Sequence, residues 1–587
     1  VRVREAGRMP LDHAGDPDGR VRRCARSGRG PVPVVAAAMA IAGGIGGSPA
    51  CDVYESWKPP DVPLLPQDGE PMALPTQPYP SPPSGVCAGR TDLPPLVEDR
   101  HVYDQDDLHV SVIRLTVPDL TALAAVNANE PDAQAAANFQ ADNYTADPTA
   151  LNATLEIRGR STRRARQKSY KIKLEGAPEW RGQKTIHLNK HPFDLTRVRN
   201  KLSFDYFKLI PDFASLRTLF VHLYINGEDM GLFTAIEHVN GRYPMRRGLS
   251  GGSIYKAQNF AFGPIHPDVV KDDDMLDEIV EDAANADLDK LLRMIRDVND
   301  VKIPINEVIT AHFNFDNYLT WLAVNFLMGN FDTVTQNFFL YSPVGCEGWY
   351  FIPWDYDGAW GYYEQPDNTP RYRWQEGPSN WWSPILHRRF FREPGNLALV
   401  EAKMEQLRDT VITESRTRAF LDSYREVVRP FVEVRPDLYQ LPVDDFGMTP
   451  AEWIAQRDVE YDRLPSTIAA AHQQYLTARE RPTPYWLSNE AMKGKQMLHW
   501  NPSFDFQGDA ITYDLEVATD PAFAPETVVA RRTGIPHDVQ AGLISTTAPS
   551  LPGGTYRWRI LARDSADPAN HWQAPFGEGF RDLKVGN

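Results

Sequence analysis

The sequence predicts an α+β fold: a strand-rich segment, then a helical one, then a separate all-β module. Three observations predict it. Apolar and polar residues alternate in short runs before residue 260, apolar residues recur at helical spacing after residue 270, and alternation returns in the last hundred residues. At 587 residues the chain is too long for one core, and 42% hydrophobic with 24% charged residues is ordinary for globular domains.

Residues 1–50 read as an export segment. Arg20, Arg22, Arg23, Arg26 and Arg29 precede an apolar run from Pro31 to Ile45, and small residues follow, the parts of a secretory signal. The run is too short and too glycine-rich for a membrane-spanning helix. Ser48-Pro49-Ala50-Cys51 is similar to a lipoprotein cleavage box, with Ser48 where a large aliphatic residue is expected. That makes Cys51 the candidate lipidation site and a route to a membrane; cleavage near Ala50 without lipid is the alternative. The predicted location is therefore exported, periplasmic or cell-surface. Residues 51–98 are proline-rich and aperiodic, as an extended tether is.

A strand follows in His109–Val117, and Leu151–Arg158 and Tyr170–Leu174 alternate as half-buried strands do. Phe220–Ile225 is another strand, and Asn226-Gly227 is a strong hairpin turn into Gly231–Val239. Beyond residue 270 the period becomes helical: Leu276, Ile279 and Val280, then Leu288, Leu291, Leu292 and Ile295. Asn306 is placed to cap a long helix running through Met328. Two short strands, Asn337–Tyr341 and Trp349–Pro353, precede a largely helical stretch to about Tyr475. In residues 485–587, Leu498–Trp500, Ile511–Ala518 and Thr555–Ala562 alternate between turn residues, the pattern of a β-sandwich.

The net charge of −16 argues against nucleic acid as a partner. The four cysteines, Cys24, Cys51, Cys87 and Cys346, form no CxxC pair, so a zinc site of the usual spacing is not encoded. Cys87 and Cys346 either pair in an oxidising compartment or remain as two buried thiols. His238, His312 and His387 lack metal-ligand spacing and read as structural. Gly248-Leu249-Ser250-Gly251-Gly252 satisfies the G-x-S-x-G nucleophile pattern, but no strand precedes it, so it reads as a turn. No G-x-x-x-x-G-K-[ST] loop occurs.

The stretch from Gly329 to Gly361 carries the chemistry. A helix ends at Gly329, Asp332 follows in a loop, Asn337 lies five residues on, and two strands lead to Trp354-Asp355-Tyr356-Asp357-Gly358. Protein kinases place a proton-accepting Asp, a metal-binding Asn and a second metal-binding Asp in this order. One carboxylate must face the acceptor hydroxyl and the other the phosphates, and Mg²⁺ takes hard oxygen ligands. The His-Arg before the loop Asp and the Phe-Gly after the metal Asp are absent.

From His101 to Tyr475 the chain resembles the CotH kinase family, the spore-coat type of atypical protein kinase. The resemblance rests on Val102-Tyr103-Asp104 with Leu108-His109, Ile157-Arg158-Gly159-Arg160-Ser161-Thr162 (Arg160 stands where the family has Asn), Ser169–Leu174, Arg199–Leu202, Tyr224–Gly227 and Glu237. Asn330-Phe331-Asp332 with Asn337, and Trp354–Asp357 with Gly361, complete it. The resemblance implies a divergent two-lobed kinase-like domain over residues 99–480. It also implies ATP and Mg²⁺ as cofactors, and phosphorylation of Ser or Thr on exported or surface proteins. Asp332 would orient or deprotonate the acceptor hydroxyl. Asn337 and Asp355 would bind Mg²⁺, with Asp357 in support. Lys173 is the preferred phosphate contact over Lys171, which shares its strand face. Arg158 and Ser161 would line the phosphates, and Glu237 would orient the lysine. Residues 485–587 resemble a fibronectin type III module, with Tyr556 as its corner tyrosine and Trp500 in its core. Two other readings compete: a non-catalytic surface or adhesion protein, and a glycoside hydrolase with Asp332 and Asp355 as its pair and Trp381-Trp382 as a sugar platform.

Overall fold

The structure is a computed structural model. It describes residues 108–586, apart from 145, 160, 177, 211–212, 214, 248–251, 264–275, 279–287, 344–347, 367–370, 442–446, 493–494 and 541. The export segment, the tether, all four cysteines and most of the G-x-S-x-G stretch lie outside the described residues.

The strand-rich segment closes into a barrel. Its strands are β1 (Val110–Thr116), β2 (Ala135–Ala141), β3 (Ala153–Arg158), β4 (Ser169–Leu174), β5 (Thr185–Asn189), β6 (Thr218–Ile225) and β7 (Glu228–Ile236), in the order β1-β2-β3-β4-β5-β7-β6. All neighbours are antiparallel except β1 and β6, whose parallel pairing closes the ring and leaves no edge. Alternation supplies the filling: Ile113, Leu115, Phe139, Leu155, Ile172 and Leu188 share its buried core. The hairpin between β6 and β7 turns on Asn226 (φ 51°) and Gly227 (φ 81°), both left-handed, which suits the strand twist.

Helix α1 (Leu120–Asn127) follows β1, capped by Asp119 on Thr121 and Ala122. Helix α2 (Arg199–Phe207) lies between β5 and β6 with every residue buried, and the short α3 (Arg242–Met245) follows β7. A second sheet runs β11-β10-β8-β9, from β8 (Gly252–Ala257), β9 (Leu276–Glu278), β10 (Phe338–Pro343) and β11 (Tyr350–Pro353). Leu276, expected in a helix, lies in a strand paired with β8, Ile279 and Val280 fall outside the described residues, and α4 (Leu288–Asn299) follows. The predicted long helix to Met328 is two: α5 (Ile305–His312) and α6 (Phe315–Met328). Phe313 is extended, and Asn314, not Asn306, supplies the cap by accepting from the Asn317 amide at 3.0 Å. Helices α7 (Ile385–Arg392), α8 (Asn396–Thr410), α9 (Glu414–Val432), α10 (Pro450–Arg463) and α11 (Thr467–Arg479) complete the helical segment. Trp321 of α6 stacks on Phe351 at 4.2 Å and meets Trp381 edge-on at 5.1 Å, in the largest core.

Between α11 and Leu487 the chain enters a two-sheet module. Its strands are β12 (Leu487–Met492), β13 (Lys495–Trp500), β14 (Ile511–Ala518), β15 (Val528–Pro536), β16 (Ile544–Thr547), β17 (Gly554–Asp564), β18 (Trp572–Gln573) and β19 (Arg581–Val585). One sheet is β12-β13-β16; the other is β15-β14-β17, with β18 and β19 both paired to β17. Trp500, Tyr513 and Trp558 are buried between them, and the Tyr556 hydroxyl donates to the Pro552 carbonyl at 3.1 Å. No helix among the described residues is long and apolar enough to cross a membrane. The α+β class is as the sequence predicts; the closure of the barrel is not foreseen by it.

Candidate active site

The β10–β11 pair builds the site. Phe338 pairs with Pro353 in antiparallel register, so the residue before β10 and those after β11 emerge at one end. There Asn337 and Asp355 both adopt φ 58°, a left-handed conformation that Asn and Asp tolerate better than other side chains. On the approach, α6 stops at Gly329, whose φ of 61° ends the helix and starts the loop to Asn337. Asp332 in that loop is held from both sides: Gln336 Nε2 donates to Oδ1 at 2.7 Å and Asn337 Nδ2 to Oδ2 at 2.9 Å. A carboxylate only accepts, so the Asn337 nitrogen must face it, which leaves the amide oxygen as the atom for a cation.

Helix α2 fixes the Asp355–Gly361 turn from below. The Asn200 Oδ1 accepts from the Tyr356 amide at 3.0 Å, and Trp360 Nε1 donates to Ser203 Oγ at 2.8 Å. The Trp360 amide also donates to the Met328 carbonyl at 2.7 Å, tying the turn to the end of α6. Arg199, fully buried, bonds the Trp360 carbonyl at 3.3 Å and is neutralised by Asp194 and by Glu460 at 2.6 Å. Because the Asn200 oxygen is occupied, its nitrogen faces His191 Nε2 at 3.5 Å, and His191 directs Nδ1–H at Asp357 Oδ2, 3.4 Å away.

Three half-buried carboxylates, Asp332, Asp355 and Asp357, thus sit within each other's fields. Burial, then Asp355 and Asp357, push Asp332 up to about 7, against the two amide donors. Burial and Asp357 push Asp355 up to about 6, against Arg158, His191 and Lys256. Arg158 is drawn down to about 10 by burial, against the pull of Asp355 and Asp357. Its guanidinium lies 5.7 Å from the Trp354 ring, and Lys256 Nζ 5.6 Å from the same ring. Carboxylates held protonated toward neutrality by burial first, and by one another's charge second, are suited to a divalent cation, and two carboxylates with an amide oxygen match the hard ligands Mg²⁺ takes beside phosphate oxygens.

Of the residues singled out in the sequence, Asp332, Asn337, Asp355, Asp357 and Arg158 come together. Ser161 lies in the 3-10 turn Ser161–Arg164, just beyond Arg158. Two assignments need correction. Lys173 is exposed near the far end of β4. Lys171, one alternation nearer the site, stands opposite His187, pairs with Glu156 at 2.5 Å, and its charge acts on His187 and His238. Glu237 does not orient either lysine: it is fully buried against Arg247 (2.7 Å), with Arg246 at 3.3 Å and the Arg217 amide at 3.1 Å. It is a structural ion pair beneath β7.

Sequence reasoning missed Lys256, His191 and His187. Lys256 reaches the site because β8 pairs with β10 and sets it opposite Phe339, a neighbourhood no local pattern reveals. His187 and His238 lie 4.8 Å apart, and His187 meets Trp354 edge-on at 5.9 Å. Burial, helped by Arg158 and Lys171, lowers both imidazoles, His238 to about 4, so they are neutral. His312 and His387 are structural, bonded to Asp297 and Tyr318 at 2.8 Å each. Trp381 and Trp382 are buried at 1% and 3% exposure and form no sugar platform.

A family model described as CotH kinase protein matches residues 155–469, which span the barrel from β3, the β10–β11 site and α10. Inner spore coat protein H of Bacillus subtilis (strain 168) is 31% identical over 216 residues, 36% of this chain and 59% of that protein. The chain therefore matches somewhat over half the length of that curated relative. With more than half of its residues inside the matched model, the chain belongs to the CotH kinase family.

Proposed function

We propose that the chain transfers the γ-phosphate of ATP to Ser or Thr hydroxyls of exported or surface proteins. The observation that carries the reading is the joint emergence of Asn337 and Asp355 at one end of β10–β11, with Asp332 fixed by Asn337. In this reading the barrel is the first lobe of a kinase plan and the helical segment the second. Asp332 accepts the hydroxyl proton as the hydroxyl oxygen bonds to the γ-phosphorus and ADP departs with the bridging oxygen. Its proton affinity near 7 suits that task. Asn337 Oδ1 and Asp355, with Asp357 held by His191, would hold Mg²⁺, which when bound would neutralise the phosphate oxygens. Arg158, Lys256 and Lys171 supply the positive side of an otherwise acidic chain. Catalysis then rests on positioning and charge neutralisation.

The relative's name places that protein in a spore coat, which supports an exported or surface setting here. The proline-rich tether, a lipidated Cys51 and a fibronectin-like reading of residues 485–587 fit the same setting. Calorimetric titration with ATP tests the site. The reading expects binding that requires Mg²⁺ and is lost in Asp355→Ala; Mg²⁺-independent binding, or binding unchanged in that variant, counts against it.

A further inference from the structure

The module that follows the kinase-like domain carries a second acidic constellation. Asp505 and Asp509 lie in the loop between β13 and β14, and Asp564 ends β17, where it pairs with Ile511. The register brings the two loops to one end of the module, and one carboxylate oxygen from each residue lies within 4.8 Å of the others. The two innermost carboxylates are half satisfied. Asp505 Oδ1 accepts from the Gln507 and Asp509 amides, both at 2.9 Å. Asp564 Oδ1 accepts from the Ala566 and Asp567 amides, both at 3.0 Å. The Oδ2 atoms of both are buried with no hydrogen-bond donor, in residues exposed by only 6% and 1%. His571 Nδ1 stands 3.1 Å from Asp564 Oδ2, off hydrogen-bond geometry. Arg563 is occupied by Asp514 at 2.6 Å.

A buried, donorless carboxylate oxygen is costly, and two of them in neighbouring carboxylates are costlier. We propose that Asp505, Asp509 and Asp564 form a calcium site that braces this module against the helical segment. Oxygens at about 2.3–2.6 Å from Ca²⁺ span up to about 5 Å across the ion, so three oxygens within 4.8 Å of one another can share one, and the adaptable coordination of Ca²⁺ suits carboxylates carried on two loops better than the near-ideal octahedron Mg²⁺ demands. Backbone carbonyls and water would fill the remaining positions. The bracing role follows from what the same loops touch. Phe504 and Phe506 pack on Trp382 at 5.6 and 5.9 Å. Gln507 Nε2 donates to the Arg479 carbonyl at 3.2 Å, and Arg373 to the Trp572 and Asn570 carbonyls at 2.8 and 2.7 Å.

The test is calcium titration of the full chain, nucleotide-free, followed by calorimetry and thermal melting. The parent chain and Asp355→Ala, which removes a carboxylate of the kinase-like site, should each bind one Ca²⁺ here with Kd at or below about 1 mM and melt higher in its presence. The Asp505→Asn/Asp564→Asn pair keeps the Oδ1 turns and should lose both the binding and the shift. Asp509→Asn, at a half-buried position, should fold in any case and weaken binding at least about tenfold. No binding by the parent, or binding unchanged in Asp509→Asn, overturns the proposal; loss of binding in Asp355→Ala alone reassigns the ion to the kinase-like site and overturns it as well.

Discussion

Asn337 donates its Nδ2 to both the carboxylate (2.9 Å) and the backbone carbonyl (3.0 Å) of Asp332. One amide thus fixes the proposed base and offers its other end to a metal. Removing it in Asn337→Ala should lower kcat about 10²-fold. It should also move the acidic limb of the pH–rate profile upward, because the lost hydrogen bond favours the ionised Asp332. A purely structural role would lower kcat with the limb unmoved, so kcat/KM across pH separates the two.

The site should make the metal-free protein less stable as pH rises. Asp332 and Asp355 hold protons up to about 7 and about 6 in the folded chain, against an ordinary 3.8. Between those values the folded state binds more protons than the unfolded one, so unfolding free energy falls as pH increases. Urea unfolding in chelator should show this decline between about pH 4 and pH 7. Asp332→Asn, which cannot ionise, should be more stable than the parent by about 0.5–2 kcal/mol at the upper end. A parent whose stability rises through this window, or an Asn variant no more stable, contradicts the charge account.

The cations of the site should sort by position. Lys256→Met and Arg158→Met each remove a charge that acts on Asp355 and should raise KM for ATP about 10–100-fold. Lys173→Met changes an exposed strand residue and should leave KM within about twofold. The reverse ranking would restore Lys173 as the phosphate contact.

Gly231 tests the joint between the barrel and the helical segment. Its φ is 77°, and an added Cβ would stand 1.8 Å from Asp437 Oδ2 and 2.8 Å from Lys190 Nζ. Those two groups form a buried ion pair at 2.7 Å. Gly231→Ala should cost about 3–5 kcal/mol by prising that pair apart. Gly176→Ala, with φ 60° and open space, should cost only about 1 kcal/mol of backbone strain. Equal losses by urea unfolding would mean that the pair bends away without penalty.

What could be read from the sequence was local. Alternation located β3, β4, β14 and β17, Asn226-Gly227 marked its hairpin, and the order Asp332, Asn337, Asp355 needed only spacing. What depends on tertiary pairing was hidden. Lys256 is a site cation only because β8 lies beside β10, and Glu237 is a structural residue only because Arg247 folds back onto it. Lys171 and Lys173 share a face, so only the position of the site along β4 distinguishes them. The helix expected through Phe313 breaks there because that residue is extended, letting Asn314 accept from a new helix start.

The central claim is phosphoryl transfer, and it is tested most directly with labelled ATP, Mg²⁺ and a panel of Ser- and Thr-containing acceptors. The account predicts transfer by the parent, to an acceptor or to itself, that ceases in Asp332→Ala while ATP binding persists, and that loses both transfer and binding in Asp355→Ala. A folded parent that binds Mg²⁺ and ATP yet transfers nothing, or an Asp332→Ala variant as active as the parent, would contradict it.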